Sequence, residues 1–378
     1  MFKKDNYDLT YITVDSLQEG VGSSQIVPLI EKLSEHGLKV NLISFEKVEP
    51  STALRDNFKS MGVNWSSLHF GSTGLVGGME RLNTLRRKIS STGLIHARSD
   101  IPAVSGIMSR EAPVLWDVRS LWADQKVVIQ KTPLNKSLYR IYRGLESLAA
   151  NKSLGMSTLT SAVVPILENR HKRLPSFRTV VPTTVNLERF VLSPVLPRNV
   201  RALFSGTYND YYDLDSSSQF MNELRKMTLV ETHWARPLES VKARIDVGET
   251  KIFPASQYEM AAIIPEYSFG VAVCKQDVGP SLSAAMPTKI AEFLASGRPI
   301  VVNKGLGDMD AFLAEFNAGV VLTGALNNAT DGAKRLVELL ADSETPSRCR
   351  ALAEKYFSMD VGATKYLDLY SQMLTYRN

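Results

Sequence analysis

A lysine and a glutamate three residues apart, Lys289 and Glu292, follow Pro287, a residue suited to the first turn of a helix. Residues 287–296 have helical periodicity, which places both charged side chains on one face near the helix start. The positive helix N-terminus and the lysine could together hold a diphosphate, while the glutamate accepts hydrogen bonds from ribose hydroxyls. The same spacing suits an exposed ion pair on an amphipathic helix, and the pattern alone favours that plainer interpretation.

A second group of chemically capable side chains follows a predicted strand within eight residues: Asp117, Arg119, Trp122 and Asp124. An arginine can grip a phosphate, an indole can stack on a sugar, and a carboxylate can act as a base or orient a hydroxyl. A buried Asp–Arg pair that holds a loop together is the structural alternative. His96 and Arg98 end another predicted strand, the place where cleft residues of α/β proteins lie, and a structural role for the histidine fits equally well.

A glycine-containing loop, with Gly20 and Gly22, lies between a predicted strand and a predicted helix. Such loops attract anions through bare backbone N–H groups and the helix dipole. The dinucleotide fingerprint would place a third glycine at position 25, where the chain has Gln25. Glu46, at the end of the next strand, could imitate a ribose-binding acid. Three interpretations of this loop therefore stay open, in this order: a plain tight turn, a loop lining a sugar or acceptor site, and an NAD site.

Strands and helices alternate through both halves of the chain. In the first half we predict strands at 9–14, 39–45, 94–97, 113–117 and 157–160, with a helix after residue 26 that stops at Gly37. Residues 181–200 are rich in proline and turn residues and indicate a linker. The second half predicts strands at 201–206, 228–234, 251–253, 269–273 and 299–303, and helices at 214–227, from about 257, at 287–296 and at 363–374. This pattern predicts an α/β protein with two Rossmann-like domains facing a cleft, and ligands at the carboxyl ends of the strands.

Composition excludes several classes of protein. The chain has 378 residues, 44% hydrophobic and 22% charged, which is typical of a globular protein with two domains. The net charge of +5 permits an anionic partner without requiring nucleic acid, and no nucleic-acid-binding signature is present. With only Cys274 and Cys349, no disulfide framework is expected. No run of 18 apolar residues and no signal-peptide core occur, so we expect a cytoplasmic protein.

Several ordered segments resemble one family. Residues 287–302, PTKIAEFLASGRPIVV, resemble the donor-site signature of glycosyltransferase family 4. Five further segments are similar to a bacterial subgroup of that family that builds exopolysaccharides and other surface glycans: 14–47, 95–103, 114–127, 184–190 and 206–214. The matches extend along nearly the whole chain. The resemblance implies the GT-B fold, a nucleotide-diphosphate-sugar donor, a glycan or lipid-linked acceptor, no cofactor, no essential metal and retention at the anomeric carbon.

The resemblance also implies domains and site residues. It gives an N-terminal acceptor domain at 1–192, a C-terminal donor domain at 193–360, and a final helix at 361–378 that packs back on the first domain. The residues implied for catalysis are Asp117, Arg119, Asp124 and Lys289. Those implied for donor binding are Gly206, Thr207, Tyr208, Ser283, Pro287, Thr288, Lys289 and Glu292. Those implied for the acceptor or transferred sugar are Gly22, Ser23, Ser24, His96, Arg98 and Trp122.

The chain departs from the family pattern at three places. The family has two glutamates in its donor motif; Glu292 matches the second, and Ala284 stands at the first. Arg119 stands where the family has a histidine, and the family's Arg and Lys pair after the first strand of the second domain is absent. These departures keep three alternatives open: a non-catalytic nucleotide-sugar-binding protein, a GT-B sugar-nucleotide epimerase and, remotely, a Rossmann dehydrogenase.

A basic and apolar segment at 126–143 predicts contact with an anionic membrane. It carries five basic side chains among aliphatic and aromatic ones, namely Lys126, Lys131, Lys136, Arg140 and Arg143. Each basic residue near an anionic surface contributes on the order of 1 kcal/mol, so the segment could hold the protein there reversibly. Packing of the apolar positions inside the first domain is the alternative, and the sequence favours it slightly. A peripheral location at the inner face of the membrane is the corresponding hypothesis.

Sugar transfer by this chain is expected to survive EDTA. Lys289 supplies positive charge where a metal would otherwise balance the phosphates, and the sequence has no acidic metal-binding cluster. Turnover of a nucleotide sugar measured with and without chelator checks this. Loss of turnover in EDTA that magnesium or manganese restores would contradict it.

Overall fold

The structure is a computed structural model of the whole chain. It describes residues 6–90, 92–129, 133–206, 208–209, 211–242, 245, 250–256, 258–323 and 326–377. The chain divides into two compact units. Unit 1 comprises Met1–Val127, Lys131–Pro182 and Met359–Asn378, and unit 2 comprises Val128–Gln130 and Thr183–Ser358.

Unit 1 is built on a sheet of seven strands that all run parallel to their neighbours. The strands are β1 Tyr7–Ile12, β2 Val40–Glu46, β3 Asn64–His69, β4 Thr92–Arg98, β5 Val114–Val118, β6 Gly155–Thr158 and β7 Phe177–Val180. The helices are α1 Val27–Glu35, α2 Thr52–Ser60, α3 Gly74–Lys88, α4 Asp100–Ser109, α5 Trp122–Ile129, α6 Pro133–Lys152 and α7 Val164–Arg170. The spatial order β3-β2-β1-β4-β5-β6-β7 is that of a Rossmann-like sheet, with the switch point between β1 and β4.

Unit 2 repeats the arrangement with six parallel strands. The strands are β8 Val200–Ser205, β9 Val230–Ala235, β10 Thr250–Phe253, β11 Phe269–Ala272, β12 Ile300–Asn303 and β13 Gly319–Leu322. The helices are α8 Leu214–Arg225, α9 Glu239–Lys242, α10 Met260–Ile263, α11 Thr288–Ala295, α12 Met309–Phe316, α13 Leu326–Ala341 and α14 Thr345–Leu352. The order β10-β9-β8-β11-β12-β13 places the switch point between β8 and β11.

The last helix, α15 Met359–Arg377, belongs to unit 1. Its apolar face packs against α1, β4 and β7, and Met359, Ala363 and Met373 join the hydrophobic core of that unit. The prediction that the C-terminal helix returns to the first domain is therefore confirmed. No helix among the described residues is long and apolar enough to cross a membrane.

Central strands are buried on both faces because helices cover both sides of a parallel sheet. All seven residues of β2 and all four of β11 are buried. The buried core of unit 2 brings together Phe204, Phe220 and Trp234 with the aliphatic residues of its central strands. These apolar interiors fix the strand positions, so the loops at the carboxyl ends of the strands are held firmly enough to form a site.

Helix α11 lies very close to β11 because Gly270 has no side chain. A Cβ atom placed on Gly270 would lie 2.6 Å from Phe293 Cδ2 and 2.7 Å from Ile300 Cδ1. We expect Gly270→Ala to lower the free energy of unfolding by about 1–3 kcal/mol, since α11 must shift to relieve the overlap. Urea unfolding followed by circular dichroism measures the change.

Gly144→Ala is the matched control for that substitution. Gly144 lies inside α6, and a Cβ atom there would meet nothing within 4 Å. Alanine in a helix interior should stabilise the protein by about 0.5–1 kcal/mol. Equal effects of the two substitutions would show that α11 does not depend on the missing side chain.

Candidate functional site

The carboxyl edge of the unit 2 sheet holds a buried lysine without a hydrogen-bond partner. Lys289 is the second residue of α11, it is 7% exposed, and its Nζ atom makes no hydrogen bond. A Cβ atom placed on Gly206, the residue after β8, would lie 4.0 Å from that Nζ. The predicted donor residues Gly206 and Lys289 are therefore brought together at the switch point of the unit 2 sheet.

The side chain of Lys289 packs against two tyrosine rings from the loop after β8. Nζ of Lys289 lies 3.8 Å from the ring centroid of Tyr208 and 4.2 Å from that of Tyr212. The loop is fastened to the segment after β11, since Asp213 N–H donates to Val273 O over 3.0 Å and Tyr212 pairs with Cys274. A desolvated ammonium over an aromatic face gains up to about 2 kcal/mol, which offsets only part of the cost of burying a charge.

Burial lowers the pKa of Lys289 to about 7. That value of about 7 already includes the raising effects of Cys274 and Glu292 and a lowering effect of the positive charge of Arg236. The ammonium is therefore held in a site where its charge is not balanced. An anion that enters would raise the pKa of Lys289 and restore the full charge.

The other predicted donor residues surround the start of α11. Glu292 is 5% exposed, so the exposed Lys–Glu pair that the pattern favoured is wrong: both side chains are buried. Pro287 caps the helix from outside, and Ile290 N–H donates to its carbonyl over 3.0 Å. Thr288 and Ser283 are partly exposed beside them, whereas Tyr208 is fully buried. Thr207 lies outside the described residues.

Arg236 is a residue of this edge that the sequence reasoning missed. It follows β9 directly, its backbone has a positive φ of 57°, and its Nε is buried without a hydrogen-bond partner. A lone arginine next to a proline gives no periodic signal. Its position after a strand that neighbours β8 is the signal that could have found it.

In unit 1 the structure brings three predicted residues, His96, Arg98 and Arg119, around the carboxylate of a fourth, Asp117. Asp117, at the end of β5, is fully buried. Its Oδ2 lies 3.4 Å from His96 Nε2 and 3.7 Å from Arg98 Nη1, and its Oδ1 lies 3.5 Å from Arg119 Nη1. Ser157 Oγ also donates to Oδ1 over 2.8 Å. Burial alone would raise the pKa of Asp117, but Arg119, His96 and Arg98 outweigh it and hold that pKa well below its usual range.

This carboxylate group is tied to the C-terminal helix. The Tyr366 hydroxyl donates to Asp117 Oδ1 over 3.2 Å, and the Tyr370 hydroxyl lies 2.6 Å from His96 Nδ1. Burial lowers the pKa of His96, so the ring is neutral at pH 7. These contacts fasten α15 to the carboxyl ends of β4 and β5, while His96 Nε2, Asp117 Oδ2 and Arg119 Nε are buried without a hydrogen-bond partner. The catalytic role of Asp117 and Arg119 and the acceptor role of His96 and Arg98 stay predictions.

Asp124 belongs to a different group. Arg170 donates to it through both Nη atoms, over 2.8 and 2.9 Å, and Tyr139 donates over 3.2 Å. A carboxylate in such a two-pronged pair is neutralised and held in place. None of the hydrogen bonds or ion pairs described here joins Asp124 to the Asp117 group, and its predicted catalytic role remains a prediction.

The segment at 126–143 spans parts of α5 and α6. Trp122, at the start of α5, packs against Tyr142, with the ring centroids 4.5 Å apart. Arg143 pairs with the buried Glu146, so it is not free for a membrane surface. Lys136 and Arg140 are exposed, while Lys131 lies outside the described residues.

The glycine loop after β1 is shaped by close contact. A Cβ atom on Gly22 would lie 1.8 Å from the Ser16 carbonyl oxygen, so no other residue fits there. Ser23 and Ser24 both donate through Oγ to the Gly20 carbonyl, over 3.1 and 2.9 Å. Gly22–Ile26 form a π-helical turn directly before α1, and a serine hydroxyl that donates to the carbonyl three or four residues back is a helical contact. The predicted acceptor role of Gly22, Ser23 and Ser24 stays a prediction.

Glu46 closes the same loop. Its carboxylate accepts hydrogen bonds from Ser16 Oγ, Ser44 Oγ and Leu17 N–H. The acid that could have imitated a ribose ligand is thus occupied by its own chain, which counts against an NAD site. Within the described ranges, no group of three or more His, Cys, Asp or Glu side chains is placed to hold a metal ion.

The chain is similar in structure to known proteins, but it matches none of them by sequence family. No family model and no curated protein matches the chain. Sucrose-phosphate synthase from Thermosynechococcus elongatus superposes with a TM-score of 0.71 at 12% identity, covering 97% of this chain and 99% of that one. HepE from Anabaena, solved with UDP and glucose, has a TM-score of 0.71 at 11% identity, covering 97% and 100%.

A third similar structure is WaaG, a glycosyltransferase of lipopolysaccharide biosynthesis. It has a TM-score of 0.64 at 13% identity and covers 94% of this chain and 98% of that one. These likenesses, together with the two parallel sheets, show that the chain has the GT-B fold, and the predicted fold class is confirmed. Membership of family 4 and of its surface-glycan subgroup stays a prediction.

Replacing Asp117 by asparagine should destabilise unit 1 by about 3–5 kcal/mol at pH 7, because Arg98 and Arg119 would lose a buried counter-ion. The folded-state pKa is lowered, so the carboxylate stabilises the protein above its unfolded pKa near 3.9 and this contribution is lost as the pH falls. Unfolding followed by tryptophan fluorescence reports it, since Trp65, Trp116 and Trp122 all lie in unit 1.

Asp360→Asn is the control for Asp117→Asn. Asp360 pairs with Lys32 over 3.1 Å on the same unit, but its side chain is 69% exposed, so its loss should change stability by less than about 1 kcal/mol. If Asp117→Asn left stability intact and removed only activity, the structural role would be wrong and the catalytic one supported.

Proposed function

We propose that this chain is a glycosyltransferase that moves a sugar from a nucleotide-diphosphate sugar to a glycan or lipid-linked acceptor. The observation that carries the proposal is the buried Lys289 ammonium, which has no hydrogen-bond partner at the switch point of unit 2. Ligands of doubly wound sheets bind at this edge. A diphosphate supplies the negative charge that this lysine lacks. Structures of similar fold include glycosyltransferases and HepE solved with UDP-glucose, which supports the same class of donor.

Lys289 acts on the leaving group. When the bond between the sugar and the diphosphate breaks, negative charge grows on the phosphate oxygens, and a positive group fixed beside them stabilises that charge. The tyrosine rings of Tyr208 and Tyr212 exclude water from the ammonium, which strengthens its attraction to the phosphates. The amide N–H groups of the loop after β8 and the start of α11 contribute partial charges of the same sign.

Glu292 holds the ribose, and unit 1 holds the acceptor. A buried carboxylate three residues along α11 from Lys289 can accept hydrogen bonds from two ribose hydroxyls. In unit 1 the partly exposed Arg119 and Trp122 lie after β5 and provide a cation and an aromatic face for the acceptor or the transferred sugar. Asp117 serves Arg119 as a positioning group, since it is fully buried and lies against both Arg98 and Arg119.

The finer parts of the proposal come from the sequence resemblance. They are retention at the anomeric carbon, a hexosyl group, independence of metal ions, and a role in surface polysaccharide made in the cytoplasm at the inner face of the membrane. The exposed Lys136 and Arg140 on α6 support the membrane location. Ala284, where the family has a glutamate, supports a nucleotide-sugar-binding protein without turnover as the second candidate.

A thermal-shift screen against UDP-, GDP-, TDP- and CMP-sugars and NAD(H), followed by a turnover assay with the sugar that binds, tests the function. Binding with transfer supports the glycosyltransferase, and binding without turnover supports the second candidate. Consumption of the donor without an acceptor would indicate an epimerase. Stabilisation by NAD(H) alone would overturn the proposal.

The affinity for the nucleotide sugar should fall as the pH rises above about 7. In the free protein the pKa of Lys289 is lowered to about 7, so above that pH binding must be accompanied by uptake of a proton, and affinity drops by up to about tenfold per pH unit. The charged and titratable groups around Lys289 are Cys274, Glu292, Arg236, Tyr208 and Tyr212. Burial raises the pKa of the Cys274 thiol to about 12 and places those of both tyrosines well above 10, so none of these three titrates here.

Calorimetric titrations from pH 6 to 9 measure this dependence. Lys289→Met should weaken binding by about 10- to 100-fold at pH 6 and remove the dependence, because the charge that attracts the diphosphate is gone. Lys226→Met, whose side chain is 68% exposed at the end of α8, is the control and should behave as the unaltered protein. A flat pH profile in the unaltered protein, or equal loss of nucleoside and diphosphate affinity in Lys289→Met, would rule out the role of Lys289.

A further inference from the structure

The pairing of β8 with β9 places Arg236 beside the proposed phosphate site. Strand β8 pairs with β9 up to Ser205 and Ala235, and Gly206 N–H then donates to the Ala235 carbonyl over 3.0 Å. Arg236 is therefore the neighbour, across the sheet edge, of the glycine that approaches Lys289. Its own N–H donates to Phe253 O over 3.1 Å, which ties the residue to the end of β10 as well.

The backbone of Arg236 is held in an unfavourable conformation. Its φ is 57°, in the left-handed region, and Pro237 follows it. Positive φ is uncommon for a side chain other than glycine or asparagine, and a following proline restricts the residue further. The hydrogen bonds on either side maintain this conformation, which fixes the direction in which the arginine side chain leaves the sheet edge.

Arg236 has an acidic neighbour, Glu259, whose pKa is lowered by hydrogen bonds from Ser256 and by the charge of Arg236. Among the described residues Arg236 takes part in no ion pair, and its Nε is buried without a hydrogen-bond partner. Its charge and that of Lys289 disfavour one another, which adds to the cost of burying the lysine. Nζ of Lys289 and Nε of Arg236 both lack hydrogen-bond partners, and a ligand that carries at least two negative charges would stabilise both cations.

We propose that Arg236 is the second cation of the nucleotide-diphosphate site and binds the same phosphate groups as Lys289. This inference rests on the proposed function. The planar guanidinium can bind phosphate oxygens in a two-pronged manner, whereas the ammonium acts as a point charge, so the two side chains are complementary. Arg236 follows β9, the strand next to β8. It supplies positive charge that the described residues of the loop directly after β8 lack.

Arg236→Gln and Arg236→Lys, compared with the unaltered full chain, test the assignment. The probes are UDP, GDP and TDP, each with its nucleoside, and inorganic pyrophosphate, titrated by calorimetry. We expect Arg236→Gln to weaken the diphosphate that binds by about tenfold or more and to leave nucleoside binding within twofold. Arg236→Lys should recover part of the affinity. Pyrophosphate should follow the nucleotide, because the phosphates are the shared ligand.

Two further measurements separate a ligand role from a structural one. Removing the neighbouring charge should raise the pH at which affinity begins to fall in Arg236→Gln, since Lys289 then holds its proton more readily. Arg201→Gln is the matched control, because Arg201 lies near the start of β8, at the opposite edge of the same sheet, in an ion pair with Glu231. That substitution should change neither the affinity nor the pH profile.

The outcomes distinguish this inference from the function on which it rests. If the unaltered protein binds a nucleoside diphosphate and folded Arg236→Gln binds it equally well with the same pH profile, the role of Arg236 is wrong and the donor site stands. If no nucleotide binds to the unaltered protein, both are wrong. Should Arg236→Gln fail to fold, Arg236→Lys decides: a fall in diphosphate affinity with unchanged nucleoside affinity supports the role, and unchanged affinity for both overturns it.

Discussion

In a parallel sheet the carboxyl ends of all strands lie at the same edge. This constraint determines which polar residues of the chain can come into contact. Residues far apart in sequence, such as Gly206, Arg236 and Lys289, become neighbours because each follows a strand or begins the helix after it. The candidate site residues that belong to strands, such as Arg98 and Asp117, also lie at the carboxyl ends of those strands. The chemistry of each unit is therefore expected at one edge of its sheet.

The two units use buried charge in opposite ways. In unit 1 the Asp117 carboxylate lies against Arg98 and Arg119, and Asp15 also pairs with Arg98 over 2.9 Å, so two carboxylates balance two guanidinium groups and stabilise the fold. In unit 2 the ammonium of Lys289 is buried with an arginine nearby and aromatic rings for partners. Buried charges that have counter-ions hold the packed elements in place. A buried cation that lacks a hydrogen-bond partner, such as Lys289, instead attracts a bound anion.

The sequence predicted the α/β class, the two Rossmann-like sheets and the return of the last helix, because central strands and long helices leave strong periodic patterns. Edge strands were missed: β3 reads NWSSLH, half exposed and largely polar, and so lacks an apolar run. The partners of Asp117 on α15 could not be predicted, since Tyr366 lies 249 residues away. The burial of Lys289 depends on a loop of tyrosines folding over it, which helical spacing does not record.

The chain leaves unit 1 after Pro182 and re-enters it at Met359, so apart from residues 128–130 unit 2 is an insertion within another domain. The two ends of the insertion lie side by side, because Val185 N–H donates to the Phe357 carbonyl over 2.7 Å and Val185 pairs with Ser358. Adjacent ends are the condition under which a domain can be excised as one continuous piece or circularly permuted. Residues 183–358 are therefore suited to expression as a separate domain. Unit 1 would then need only a short linker to join its two parts.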